Sequence, residues 1–104
     1  MLQTIKQLLG FGPSVDYASL VKQGATIVDV RTKGEYQSGH IKGSVNIPLD
    51  ALSSQMSKIN KQKPVITCCA SGMRSAQAKS MLKSQGFAEV HNGGGWSSLQ
   101  SKIR

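Results

Sequence analysis

The order of apolar patterns along the chain predicts an α/β fold: a central, mainly parallel sheet of about four or five short strands, flanked by helices. Runs such as Ala25-Thr26-Ile27-Val28-Asp29-Val30 and Pro64-Val65-Ile66-Thr67-Cys68 are too continuously apolar and β-branched for a sheet with one wet face. They read as strands covered on both faces. Between them lie stretches whose apolar residues recur at three- and four-residue steps and are closed by glycine or proline. Length agrees, since 104 residues suit one core of ordinary size, and an apolar content of 38% excludes a disordered chain. With no repeat, linker or composition shift, residues 1–104 read as a single domain.

In chain order, Leu2, Ile5, Leu8 and Leu9 stand at helical spacing before Gly10, Gly12 and Pro13, so residues 1–12 read as a short amphipathic lead-in helix that packs on the domain. Asp16 is placed to cap a helix carrying Tyr17, Leu20 and Val21 that ends near Gly24. The first strand then covers 25–30. A Gly- and Lys-bearing turn containing Glu35 and Tyr36 leads to a second short strand, Gly43 to Ile47, stopped by Pro48. Leu49, Leu52, Met56 and Ile59 predict one helix over 49–59, with Lys58, Lys61 and Lys63 at the end where the helix dipole favours cations. The third strand is 64–68. A helix from Arg74 or Ser75 to Gln85 follows the loop after Cys69, turns Ala78, Met81 and Leu82 inward, and stops at Gly86. Ala88 to His91 reads as a fourth strand, and Trp96 to Ile103 as a last helix after three glycines.

Lysine and arginine outnumber aspartate and glutamate by 13 to 5, a net charge of +8 that favours anions of some kind. The basic residues are scattered from Lys6 to Arg104 without a dense run or interleaved aromatics, so nucleic acid is not the expected partner. Cys68 and Cys69 are adjacent and cannot staple distant segments, while His40 and His91 add no metal-ligand spacing. Neither a disulfide framework nor a metal is expected. The N-terminal segment contains Lys6 and polar residues where a signal peptide needs an unbroken apolar stretch, and no run is long enough to span a membrane. The default expectation is a monomer in the reducing cytoplasm, although a periplasmic form whose signal had been removed would look the same.

The informative stretch is strand, Cys69, a short loop of Ala70, Ser71, Gly72 and Met73, then Arg74, Ser75 and a helix. A loop of this kind curls so that its backbone N–H groups converge, and the helix start beyond it adds partial positive charge. A thiolate at the focus has its charged form stabilised and becomes a nucleophile near neutral pH, with no base residue required. Arg74 adds a fixed cation that can hold an anionic donor such as a thiosulfonate or phosphate-like group, and with the net charge of +8 it predicts reaction with that donor that slows as ionic strength rises.

At these residues the sequence resembles the rhodanese-homology family. The resemblance runs through Ile27-Val28-Asp29-Val30-Arg31, Glu35-Tyr36, Gly39-His40-Ile41 to Leu49, Val65 to Ala76, Gly86-Phe87 and Gly94-Gly95-Trp96. It implies a three-layer rhodanese-like fold and a sulfurtransferase without cofactor. Cys69 would take a sulfane sulfur from a small anionic donor such as thiosulfate. The amides from Ala70 to Ser75 would steady the persulfide, and a thiol, cyanide, or a thioredoxin-like or other sulfur-relay protein would remove the sulfur. Cys68, where the family often has an aromatic residue, and Leu99, in place of a second tryptophan, depart from the pattern.

Cys68 carries the alternative. Counted from it, the motif becomes Cys-x5-Arg, the longer loop that the resemblance associates with phosphatase and arsenate-reductase relatives. Strand alternation opposes this, because Val65, Thr67 and Cys69 share one face and Cys68 shares the other with Ile66. A non-catalytic sulfur-carrier module is a further reading, as is redox use of the vicinal pair, which a strained ring disfavours. For the other polar residues the structural reading is preferred: Asp29 bonded to backbone, Arg31 paired with Glu35 at helical spacing, His40 at a turn, His91 on the surface. Trp96 fits the core or the pocket mouth equally.

Overall fold

A computed structural model describes residues 15–104. The lead-in helix expected over 1–12 lies outside the described residues. Helix α1 (Tyr17–Lys22) starts where predicted: Asp16 accepts the Ser19 amide at 3.0 Å and the Ser19 hydroxyl at 2.8 Å, which satisfies a donor the first turn leaves free. Strand β1 (Thr26–Asp29) follows.

Residues 33–38, expected as a turn, form helix α2 (Lys33–Ser38). The cause is a capping box: Thr32 Oγ1 accepts the Glu35 amide at 3.2 Å, and Glu35 Oε1 accepts the Thr32 amide at 3.0 Å. Strand β2 is only Val45–Asn46.

The helix expected over 49–59 is broken into a 3-10 turn at Leu49–Ala51, helix α3 (Leu52–Gln55) and a second 3-10 turn at Met56–Lys58. Serines are weak helix formers, and the Ser54 hydroxyl bonds back to the Ala51 carbonyl at 3.0 Å, consistent with the interruption. Strand β3 (Val65–Cys69), helix α4 (Met73–Ser84), strand β4 (Val90–Gly95) and helix α5 (Trp96–Ile103) complete the order.

The sheet has the order β2-β1-β3-β4, and every neighbouring pair is parallel. Val65 and Cys69 pack with Val28, Leu52, Ala78 and Leu82 beneath α3 and α4. On the opposite face Ile66 and Cys68 pack with Ile27 and Leu99, covered by α1 and α5. Three layers result, with β3 buried along its whole length.

The fourth strand begins later than predicted and absorbs all three glycines. A Cβ on Gly93 would lie 2.8 Å from Leu99 Cδ2 and 2.9 Å from both Ile66 Cγ2 and the Thr67 carbonyl, so only glycine fits this strand against β3 and α5. Thr67 pairs with Asn92 and Cys69 with Gly95, leaving one extra residue on β4. That bulge, with Gly94 at φ +80°, bends the strand end behind the loop that follows Cys69.

Candidate active site

Cys69 ends β3 at the carboxyl rim of the sheet, where ligands of open α/β sheets bind. The chain turns at once, and Gly72 stands before α4 in the left-handed region, φ +104° and ψ −10°, its Cβ position 3.4 Å from Gly94 Cα. This turn brings amides back over the sulfur. Cys69 Sγ accepts the Gly72 N–H at 2.9 Å and the Ser75 N–H at 3.4 Å, with the Ser75 hydroxyl also 3.4 Å away. Burial, the largest single influence, pushes this thiol up. The Ser75 hydroxyl and the amides of Ser75, Gly72 and Ser71 together overcome it, so the net shift is downward.

Of the loop residues predicted to surround the sulfur, Ser71, Gly72 and Ser75 act on it directly. Ala70 and Met73 lie on the exposed rim, Met73 at 82% exposure.

Cys68 is elsewhere. Its side chain is buried on the opposite face, and burial first, then the charge of Asp29, push its thiol up to about 12. The sulfur at the focus of the amides is that of Cys69, the residue favoured by strand alternation.

Two pairings differ from the sequence expectation. Arg31 does not pair with the carboxylate of Glu35. Its Nη2 and Nε bond Asp29 at 2.8 and 3.0 Å in a buried pair, Nη2 and Nη1 also reach the carbonyls of Gly39 (2.7 Å) and Glu35 (3.2 Å), and Trp96 lies over the guanidinium at 4.7 Å. Glu35 instead holds Arg74, whose Nη1 and Nη2 donate to its two carboxylate oxygens at 2.7 and 2.9 Å. Arg74, first among its partners, and then Thr32 hold the Glu35 carboxyl down at about 2. Arg74 is therefore not the free cation expected from the sequence. The planar fork of a guanidinium meets a carboxylate with two parallel bonds, and in α2 the capping box had already aimed that carboxylate.

One participant was not predicted. The Asn92 side chain donates to the Gly72 carbonyl at 3.2 Å, and its oxygen accepts the Ser75 hydroxyl at 2.6 Å and the Gly94 amide at 2.9 Å. It buttresses the loop from β4. A polar residue immediately before three glycines was the available signal, hidden because that segment read as a loop.

His40 bonds the Tyr36 carbonyl at 2.7 Å and stacks on its ring, a turn role as expected, and His91 contacts Glu89 at 2.8 Å. Among the described residues no group of three or more His, Cys, Asp or Glu side chains is arranged to hold a metal. Nor is any described helix long and apolar enough to cross a membrane. Beside Arg74 a cleft of about 520 Å³ opens between α4 and the Leu49 turn, lined by Val30, Thr32, Pro48, Leu49, Arg74 and Met81 among others.

Comparison with known proteins agrees with this architecture. Residues 15–102 match the rhodanese-like domain. Thiosulfate sulfurtransferase GlpE of Pseudomonas savastanoi pv. phaseolicola is 34% identical over 77% of this chain and 76% of its own. The uncharacterized protein YqhL of Bacillus subtilis is 37% identical over 77% of this chain, and the match spans 64% of that protein's length. Among solved structures, reduced CoADR-RHD of Bacillus anthracis superimposes with a TM-score of 0.74 at 33% identity, covering 94% of this chain and 18% of that one. A parallel four-stranded sheet with a cysteine loop at its carboxyl rim, matched over nearly all described residues, places the chain in the rhodanese-like domain family.

Proposed function

We propose that this chain is a sulfurtransferase in which Cys69 is the nucleophile. The observation that carries the reading is the thiol itself: the Gly72 and Ser75 amides point at Cys69 Sγ and favour its thiolate despite burial. The thiolate attacks the outer sulfur of a small sulfane donor such as thiosulfate. A bond from Sγ to that sulfur forms, the donor S–S bond breaks, and the electron pair leaves with sulfite. The resulting persulfide remains among the loop amides until a thiol, cyanide or a sulfur-relay protein attacks its outer sulfur and restores the Cys69 thiolate. The name of the GlpE relative supports thiosulfate as the donor to test first. The longer-loop phosphatase alternative would use Cys68, whose burial on the opposite face, with a thiol pushed up to about 12, argues against it. We further infer cytoplasmic, monomeric action by a single domain.

Intact-mass measurement after incubation with thiosulfate tests the reading. Wild type and Cys68→Ala should each gain one sulfur, removable by a reducing thiol, and Cys69→Ser should gain none. An adduct that followed Cys68 would end the proposal.

A further inference from the structure

Resting on that sulfur-transfer reading, we propose that Glu35 determines donor specificity: by occupying both terminal nitrogens of Arg74 it withholds the free charge a dianionic donor needs, and so favours the singly charged persulfide of a small organic thiol. The Arg74–Glu35 contact is bidentate, at 2.7 and 2.9 Å. Its carboxylate cannot easily swing aside, because Glu35 Oε1 also accepts the Thr32 amide at 3.0 Å and the Thr32 hydroxyl at 3.1 Å, which ties it to the start of α2. Arg74 immediately precedes Ser75, whose amide bonds Cys69 Sγ, and its guanidinium lies within electrostatic reach of that sulfur, so the compensated charge bears on the site where a donor must approach.

The adjoining cleft is of the same character. Its lining is largely apolar, through Val30, Pro48, Leu49 and Met81, and the one other charged residue along it is Asp50. With Arg74 already matched by Glu35, the wall offers no uncompensated cation. At about 520 Å³ it falls in the size range of small-molecule sites and far exceeds what a small inorganic anion fills, leaving room for an organic group R. The diffuse charge of +8 draws any anion toward the molecule; the local pairing decides between one negative charge and two.

The transfer balances without a further reactant. The Cys69 thiolate attacks the outer sulfur of R–S–S⁻. The Sγ–S bond forms as the donor S–S bond breaks, the pair leaves as R–S⁻, which takes a proton from water, and the enzyme carries the persulfide.

The test compares loading of Cys69, by intact mass against time, from thiosulfate and from the persulfide of N-acetylcysteine methyl ester, whose single negative charge lies on the persulfide. Wild type should load faster from the persulfide. Glu35→Gln keeps both capping-box bonds while freeing the Arg74 charge. A dianion feels that charge twice as strongly as a monoanion, so a gain of about twofold with the persulfide corresponds to about fourfold with thiosulfate, shrinking as salt is added. In the double variant Glu35→Gln/Arg74→Gln the donor ratio should return toward that of wild type, which a merely structural role for the pair would not produce. A donor ratio unchanged by Glu35→Gln, or faster wild-type loading from thiosulfate, overturns the inference alone. No sulfur on Cys69 from either donor overturns the sulfur-transfer reading and the inference with it.

Discussion

Ser75 meets the sulfur with two groups, its amide and its hydroxyl, each 3.4 Å from Cys69 Sγ, where Gly72 offers a single, closer amide at 2.9 Å. The hydroxyl has one proton and several acceptors within reach, including Asn92 Oδ1 at 2.6 Å and the Gly72 carbonyl at 3.1 Å. It can turn to the sulfur when negative charge appears there, while the amide stays fixed. Alkylation of Cys69 by iodoacetamide should therefore follow a titration with its midpoint below the usual thiol value of 9.0, the rate falling as pH drops through it. Ser75→Ala removes the hydroxyl and keeps the amide, so its midpoint should move up; an unmoved midpoint would show that the amides alone set the thiolate. Cys68, pushed up to about 12, should stay unlabelled across the same range.

At the scale of elements, β4 and α2 explain most of what the site owes to its surroundings. The β4 bulge puts Asn92 behind the loop, and Gly93 lets the strand approach β3 and α5 closely enough to do so. Gly93→Ala forces a methyl into contacts of 2.8–2.9 Å, two of them with well-packed atoms of Leu99 and Ile66. Overpacking of this kind costs about 1–3 kcal/mol. The opposite result is expected for Gly34, in the first turn of α2, with nothing within 4 Å of its Cβ position. There alanine should stabilise by about 0.5–1 kcal/mol, because it reduces the freedom of the unfolded chain. Urea unfolding of the two variants distinguishes them by sign. Much of this scale was readable in advance: Asp16 and the helical spacing located α1, and Trp96 to Ile103 matched α5 residue for residue. The fragmented helix after Pro48 and the start of β4 were not, since local spacing does not register serine back-bonding or the closeness of a neighbouring strand.

Across the whole molecule, the buried pair of Asp29 and Arg31 joins more of the fold than any other polar contact described above. It links the end of β1 to the carbonyls of Glu35 and Gly39 and to the Trp96 ring at the start of α5. Asp29 is fully buried and Arg31 only 4% exposed. Asp29→Ala would leave the guanidinium buried without its counter-charge, which costs about 3–5 kcal/mol. Thermal unfolding should show a large loss, in contrast to Arg74→Ala, whose half-exposed partner is solvated by water and whose loss should be small.

By itself the sequence determined the layered parallel fold, the position of Cys69 at a strand end before a helix, and the opposite facing of Cys68. These follow from local rules: period-two alternation, helical spacing, and glycine where the backbone must turn left-handed. Only the tertiary structure decided which charges pair and which residues stand behind the loop. Arg31 has a carboxylate two residues away at Asp29 and another four away at Glu35, and sequence spacing favours the second. Burial beneath Trp96 selected the first, because a buried guanidinium needs a carboxylate and carbonyls in one plane around it, and the Gly39 turn supplies them there. Glu35 was thereby left for Arg74, 39 residues away, and Asn92 for Gly72, 20 residues away. Local sequence marks Asn92 only as a polar residue before three glycines and names neither partner, since both contacts arise from the packing of separate elements around one sheet.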